Sequence, residues 1–181
     1  MWVSAVNTTD TLKISMNAPH PFPVLCLGYG NFDREDDGVA WHVLSRLAGK
    51  LAIPFPATVE EFEFHAGGKI DLFFSLQLYP ELAELTLNYP RLCFIDAHTG
   101  AVPGEIHVEC LQPAPQTSPF THHLTPAALL NLTKTIYGHE PSSLFVSIRG
   151  YSFQFTQQLS HKTNRLADLA VEQILSWVET S

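Results

Sequence analysis

The sequence predicts an α/β fold, a three-layer structure in which about five mostly parallel strands form a twisted sheet with helices on both faces. Apolar runs typical of buried strands alternate with segments of helical periodicity along much of the chain. The first apolar run ends in glycines and a polar loop, and a helical pattern follows, which is the order found at the start of such a domain. The chain has 181 residues, 45% of them hydrophobic and 15% charged, and this size and balance suit one packed domain.

The first strand and helix flank a short, highly charged loop. Val24 to Leu27 are all apolar, as in the centre of a parallel sheet, and apolar positions every four residues predict a helix from Val39 to about Lys50. We expect Asp36 or Asp37 to cap the first turn of this helix. Residues 1–23 are polar and aperiodic, so we interpret them as a flexible N-terminal extension of a single domain at 24–181.

The middle of the chain predicts a strand, a loop and a helix. Alternating apolar and acidic residues at 59–64 indicate a strand exposed on one face, and 65–68 form a second glycine loop. The Leu- and Phe-rich segment 71–87 is predicted to be helical, with Pro80 interrupting or restarting the helix.

Two further strands follow. Leu92 to Ile95 predict a buried strand that ends at Asp96, and the alternation at 105–110 predicts a strand that pairs as a hairpin or lies at an edge. The proline-rich segment 112–119 is a loop.

The C-terminal third predicts a helix, a strand and a final helix. Thr125 and Pro126 have the form of an N-cap and a first helical residue. Residues 144–148 form the last strand and 160–178 the last helix. The predicted apolar faces of these two helices are Leu129, Leu130, Leu132 and Ile136, then Leu166, Leu169, Ala170, Ile174 and Val178.

Charge and cysteine content limit the classes of binding partner and the cellular compartment that we expect. The net charge of −8 argues against duplex nucleic acid or an anionic membrane as a partner. The sequence contains neither a recognisable signal peptide nor an apolar run long enough for a membrane span. Cys26 and Cys93 lie in apolar runs and are expected to be buried thiols, and three cysteines without close spacing suggest a reducing compartment. We expect a cytoplasmic protein.

Gly28 and Gly30 first suggest a dinucleotide site, because glycines after a first strand let backbone amides approach a pyrophosphate. Asp33 stands where the third glycine of that fingerprint belongs, and Asp36 and Asp37 would repel phosphate. Instead, we interpret the two glycines as residues that let the chain turn sharply enough to present Asp37. The sequence also lacks the serine-elbow and zinc-helix motifs of two common hydrolase classes.

A metal site fits the acidic loop better. Asp37, Asp96 and either His122 or His123 come from three loops that the predicted topology brings to one edge of the sheet. Two carboxylates and an imidazole suit a borderline divalent metal such as nickel or zinc and leave positions open for a substrate. The simpler alternative is a helix cap, a strand-end turn residue and a surface histidine.

Three groups of residues carry a family resemblance: Gly28, Gly30, Asn31, Arg34, Asp36, Asp37, Gly38 and Val39, then Phe94, Ile95, Asp96, Ala97, Pro103 and Gly104, and later Thr121, His122, His123 and Leu124. In order and spacing they resemble the nickel-iron hydrogenase maturation endopeptidases. The resemblance runs from about Val24 to the last helix. It implies an endopeptidase that removes the C-terminal extension of the hydrogenase large-subunit precursor after nickel insertion.

The resemblance also implies roles for single residues. Nickel, supplied by the precursor, would be recognised by Asp37, Asp96 and His122, and another divalent metal could replace it in a crystal. Either carboxylate would activate water. The substrate-binding residues would be Asn31, His65, Gly67, Gly68 and His123, with His123 alternatively an orienting or surface residue.

One departure from the family concerns the second glycine loop. Family members often carry Asp-Gly-Gly-Thr there, whereas this chain has His65, Ala66, Gly67 and Gly68. The loop that recognises the precursor would therefore differ from that of the family. The competing function is a chaperone that binds the nickel site or the precursor on the same scaffold without cleaving it.

Overall fold

A mixed sheet forms the centre of the chain. The computed structural model describes residues 24–59, 65–66, 70–116 and 124–179, and the predicted extension at 1–23 lies outside them. The strands within this part are β1 (Val24–Tyr29), β2 (His65–Ala66), β3 (Ile70–Ser75), β4 (Arg91–His98), β5 (Ile106–Leu111) and β6 (Ser142–Arg149). The helices are α1 (Val39–Leu51), α2 (Leu82–Thr86), α3 (Pro126–Tyr137) and α4 (His161–Glu179), and a 3-10 turn occupies Glu35–Gly38.

The described strands lie in the order β2, β3, β1, β4, β6, β5. The four central strands are parallel, while β2 pairs antiparallel with β3 and β5 pairs antiparallel with β6. The predicted α/β class with a mostly parallel sheet is confirmed. β2, of two residues, and β3 are additions to the expected strands.

Hydrophobic clusters cover both faces of the sheet. Alternation along β1 sends Val24 and Cys26 to the face that packs against α1 and α4, and sends Leu25 and Leu27 to the face that packs against α2 and α3. All four side chains are fully buried, which explains why β1 reads as a continuous apolar run. The three-layer arrangement and the burial of Cys26 and Cys93 agree with the predictions.

The helix predicted at 71–87 is wrong. Its first part is strand β3, which pairs with β1 along its length, and only the short helix α2 forms after Pro80. A short apolar run cannot be assigned to strand or helix by periodicity alone, and β3 is mostly buried like a central strand. Asp71, the first residue of the predicted helical segment, is fully buried in β3 and accepts a hydrogen bond from the Tyr89 hydroxyl at 2.7 Å.

Two neighbouring predictions also need correction. The predicted glycine loop at 65–68 begins instead as strand β2, since His65 and Ala66 pair with Leu72 and Asp71. Its glycines and most of the strand predicted at 59–64 lie outside the described residues. β5 is an edge strand, as one alternative had it, but it pairs with β6 rather than forming a hairpin with β4.

The three longer helices are confirmed, with α3 capped as predicted. The Thr125 side chain accepts a hydrogen bond from the Ala128 amide, and Pro126 opens the helix. Two predicted core positions are wrong: Ile136 is 58% exposed and Leu169 is 55% exposed. Leu169 lies at the margin of its apolar stripe, and Ile136 lies in the last turn of α3, so helical spacing alone does not decide their burial. None of the helices in the described ranges has the length and apolar character needed to cross a membrane.

Candidate active site

The acidic loop leaves the carboxyl end of β1, and its two glycines act differently. Gly30 has a φ of +139°, and a Cβ at this position would overlap the carbonyl oxygen of Asp37. It therefore supports the predicted sharp turn. The turning role predicted for Gly28 is wrong, because this residue lies within β1. A Cβ there would approach Leu44 Cδ1 at 2.9 Å and Ala40 Cβ at 3.1 Å, so Gly28 permits close packing of α1 on the strand.

Asp36 joins the loop to the start of α4. Its fully buried carboxylate accepts hydrogen bonds from the Tyr151 amide at 2.7 Å, the Ser152 amide at 3.0 Å, the Ser160 amide and hydroxyl at 2.8 Å, and the Thr163 hydroxyl at 2.7 Å. Burial alone would raise the pKa of Asp36, but these bonds to the ionised form hold it below its ordinary value. Asp36 is therefore a structural anchor.

Asp37 lies in the 3-10 turn, next to the anchor. Its Oδ2 accepts a hydrogen bond from the Asn31 backbone amide at 3.2 Å across the loop. Neither Asp36 nor Asp37 caps α1, since Gly38 occupies the N-cap without a side-chain bond. The predicted cap is wrong because a 3-10 turn runs directly into α1. Both carboxylates therefore bind other partners.

Asp96 lies near the carboxyl end of the central strand β4, which continues to His98 and does not end at Asp96 as predicted. Its Oδ1 accepts a hydrogen bond from the Ala97 amide at 2.7 Å. Burial raises the pKa of Asp96 to about 7; the bonds from Ala97 and Tyr29 oppose this rise, and the negative charge of Asp37 adds to it. The two predicted carboxylates thus lie close enough to repel each other.

Tyr29 is a contact that the sequence reasoning missed. Its hydroxyl lies beside Asp96, and burial, followed by the charge of Asp96, raises the pKa of Tyr29. The alternation of side chains along β1 could have indicated this contact. Tyr29 shares a sheet face with Leu25 and Leu27 and belongs to the cluster that contains Phe94.

The segment 150–160 crosses over the acidic loop, a contact that no motif or periodicity indicated. The Glu35 amide donates to the Thr156 carbonyl at 2.7 Å, and the Glu35 carboxylate accepts from the Gln154 amide at 3.0 Å. Gln157 Nε2 donates to Asp33 Oδ1 at 2.8 Å. The loop is therefore held along its length, although Glu35 has a positive φ of +48°.

The other predicted site residues fall mostly in the glycine and histidine loops. His122, His123, Gly67 and Gly68 lie outside the described residues, and for His65 the structure describes only the backbone of β2. Asn31 adjoins Asp37, as noted. Within the described ranges no three His, Cys, Asp or Glu side chains form a group able to hold a metal ion. The metal set remains a prediction that depends on His122.

Comparisons with known proteins give the same architecture. No protein-family model matches the sequence, and no curated protein sequence is similar enough to match it. Solved structures do match. The chain is similar to the hydrogenase maturating endopeptidase HybD from E. coli, with 19% identity, a TM-score of 0.62, and coverage of 86% of this chain and 91% of that one.

Two further structures agree. The NiFe hydrogenase maturation protease HycI from Thermococcus kodakarensis KOD1 has 17% identity and a TM-score of 0.60 over 87% of this chain and 93% of its own. An endopeptidase from Escherichia coli has 18% identity and a TM-score of 0.59 over 85% and 90%. At these identities the likeness establishes the fold. The chain has the fold of the hydrogenase maturation endopeptidases.

Proposed function

We propose that this protein is a metal-dependent endopeptidase that removes the C-terminal extension of a nickel-iron hydrogenase large-subunit precursor after nickel insertion. The observation that carries the proposal is the pair of carboxylates, Asp37 and Asp96, at the carboxyl edge of the sheet, which is where α/β proteins bind ligands. The likeness in fold and the motif that contains His122 support the same activity. The free thiols, two of them buried, are compatible with a cytoplasmic enzyme.

The nickel ion belongs to the substrate in this proposal. Asp37, Asp96 and His122 recognise it through two carboxylate oxygens and an imidazole nitrogen, a donor set that a borderline metal accepts. The metal then aligns the adjoining peptide with the two carboxylates, and precursor without nickel is not aligned. This explains how cleavage waits for nickel.

The carboxylates supply the base for hydrolysis. An ionised Asp37 or Asp96 takes a proton from a water molecule, whose oxygen forms a bond to the scissile carbonyl carbon. The carbon–nitrogen bond then breaks, and the proton passes to the leaving amine. Before nickel binds, a pKa of about 7 leaves Asp96 partly protonated near neutral pH, and coordination to the metal favours its ionised form.

The deciding experiment incubates the purified protein with nickel-loaded and nickel-free precursor and follows the C-terminal extension by mass spectrometry. We expect trimming of the loaded form alone. Binding of loaded precursor without trimming would favour the chaperone, and equal trimming of both forms would exclude nickel as the aligning group.

Variants assign the roles. Asp37→Asn and His122→Ala should each lower trimming by at least about 100-fold while the melting transition stays intact, because site residues, unlike core residues, seldom carry much stability. His123→Ala is the matched control for the adjacent histidine. A larger loss with His123→Ala than with His122→Ala would reverse their assignment.

A further inference from the structure

A small cleft opens beside the acidic loop. Its volume is about 110 Å³, and it lies between that loop, the end of β3 and the segment that crosses from β6 to α4. We call it the Phe32 cleft. Its apolar walls are Phe32, Val59, Phe74 and Leu76, and its polar side includes Asn31, Asp33 and Gln157.

The walls of the Phe32 cleft are held in place from behind. The buried indole of Trp41 packs against Phe32 with ring centroids 5.2 Å apart and against Phe74, also at 5.2 Å. The Gly30 amide donates to the Ser75 carbonyl at 3.2 Å, which ties the loop to the end of β3. A pre-formed cleft binds a side chain without the entropy cost of ordering its own walls.

The Phe32 cleft adjoins the candidate carboxylates. Asn31 lines it, and the amide of the same residue donates to Asp37 at 3.2 Å. Asn31 therefore links one wall of the cleft to the candidate carboxylate Asp37.

Size and lining define the occupant. The cleft is smaller than the cavity of about 150 Å³ that admits benzene in a well-studied case, so it suits an aliphatic side chain better than an aromatic ring. Leu76, at 64% exposure, offers apolar surface at the mouth. We propose that the Phe32 cleft binds an aliphatic side chain of the residue flanking the scissile bond and thereby selects the cleavage position; this rests on the proposed function.

The test uses nickel-loaded precursors in which the residues on the two sides of the scissile bond are replaced, one side at a time, by Leu, Gly, Lys or Trp. Binding is followed by fluorescence anisotropy and trimming by mass spectrometry. On one side, Leu should exceed Gly, Lys and Trp by about 10-fold or more in kcat/KM and in affinity, since pocket contacts of this size discriminate at that level.

A charge variant should gain preference for a lysine-containing precursor, a result that misfolding cannot produce. Leu76→Asp should lower kcat/KM for the Leu precursor by about 10-fold and raise the Lys-to-Leu preference by a similar factor, through attraction of the lysine. Leu169→Asp, at an exposed leucine on α4 away from the cleft, is the matched control and should leave the preference unchanged.

The outcomes separate the two proposals. Wild-type enzyme that trims all replaced precursors at one rate, or an unchanged preference in Leu76→Asp, would overturn the assignment of the cleft. Selective binding of the Leu precursor without any trimming would support the cleft and reject the peptidase.

Discussion

The Tyr29 hydroxyl lies beside the Asp96 carboxylate, so the last residue of β1 contacts the neighbouring strand β4. This polar neighbour favours the ionised form of Asp96, while burial and the charge of Asp37 oppose ionisation. The protonation state of the candidate base therefore depends on a residue that does not itself titrate near neutral pH.

Tyr29→Phe should raise the pKa of Asp96 further, because it removes a hydroxyl that stabilises the charged form. We expect the acidic limb of the trimming profile to move up by about 0.5 to 1 pH unit, the equivalent of about 1 kcal/mol. A carboxyl carbon NMR titration of Asp96 measures the same shift without activity. Tyr137→Phe, which removes an exposed tyrosine bond to Glu84, is the control. An unmoved Asp96 titration would contradict this role.

Asp96 should also make the stability of the fold depend on pH. Its pKa is about 7 in the folded chain and about 4 when unfolded, so the stability it contributes is fully present below pH 4 and is lost as the pH rises through 7. Asp96→Asn should therefore increase the free energy of unfolding at pH 8 by about 1 to 3 kcal/mol, allowing for partial solvent screening. Urea titrations from pH 4 to 8 check this, and a difference that grows toward pH 4 would refute it.

Asp36 predicts the opposite pH dependence. Its folded pKa is lowered, so its contribution is present above the unfolded pKa and is lost as the pH falls through the folded value. Asp36→Asn should cost about 2 to 4 kcal/mol at pH 7, because buried donors lose a charged acceptor. Asp33→Asn, at an exposed aspartate of the same loop, should cost less than about 1 kcal/mol. Equal losses in the two variants would show that Asp36 is no anchor.

Gly30→Ala should damage the loop more than its backbone angle alone implies. An alanine there adopts a positive φ and also meets the Asp37 carbonyl, so we expect a loss of at least about 2 kcal/mol and displacement of Asp37. Gly138→Ala isolates the strain term, since Gly138 has a φ of +68° and open space where an alanine methyl group would lie, and should cost about 1 kcal/mol. Thermal unfolding compares the stabilities of the two variants. Similar melting temperatures would show that overlap with the Asp37 carbonyl does not matter.

Local pattern predicted most of the elements correctly. The strands around Cys26 and Cys93 and the helices that begin at Val39 and Pro126 follow from burial and capping rules that act over a few residues. The helix prediction for 71–87 was wrong because a short apolar run can form either a strand or a helix. Only pairing with β1 makes Ile70–Ser75 a strand.

Hydrophobic period and turn residues are enough to predict the fold class, the chain order of the buried strands, and the presence of acidic residues where strands end. The separate roles of the two neighbouring carboxylates follow from the folded arrangement instead. Asp36 points to the start of α4, where its carboxylate accepts several hydrogen bonds. Asp37 instead shares the edge of the sheet with Asp96 and Tyr29. Adjacent residues in a 3-10 turn leave it in different directions, and partners more than a hundred positions away in the chain are brought near only by folding.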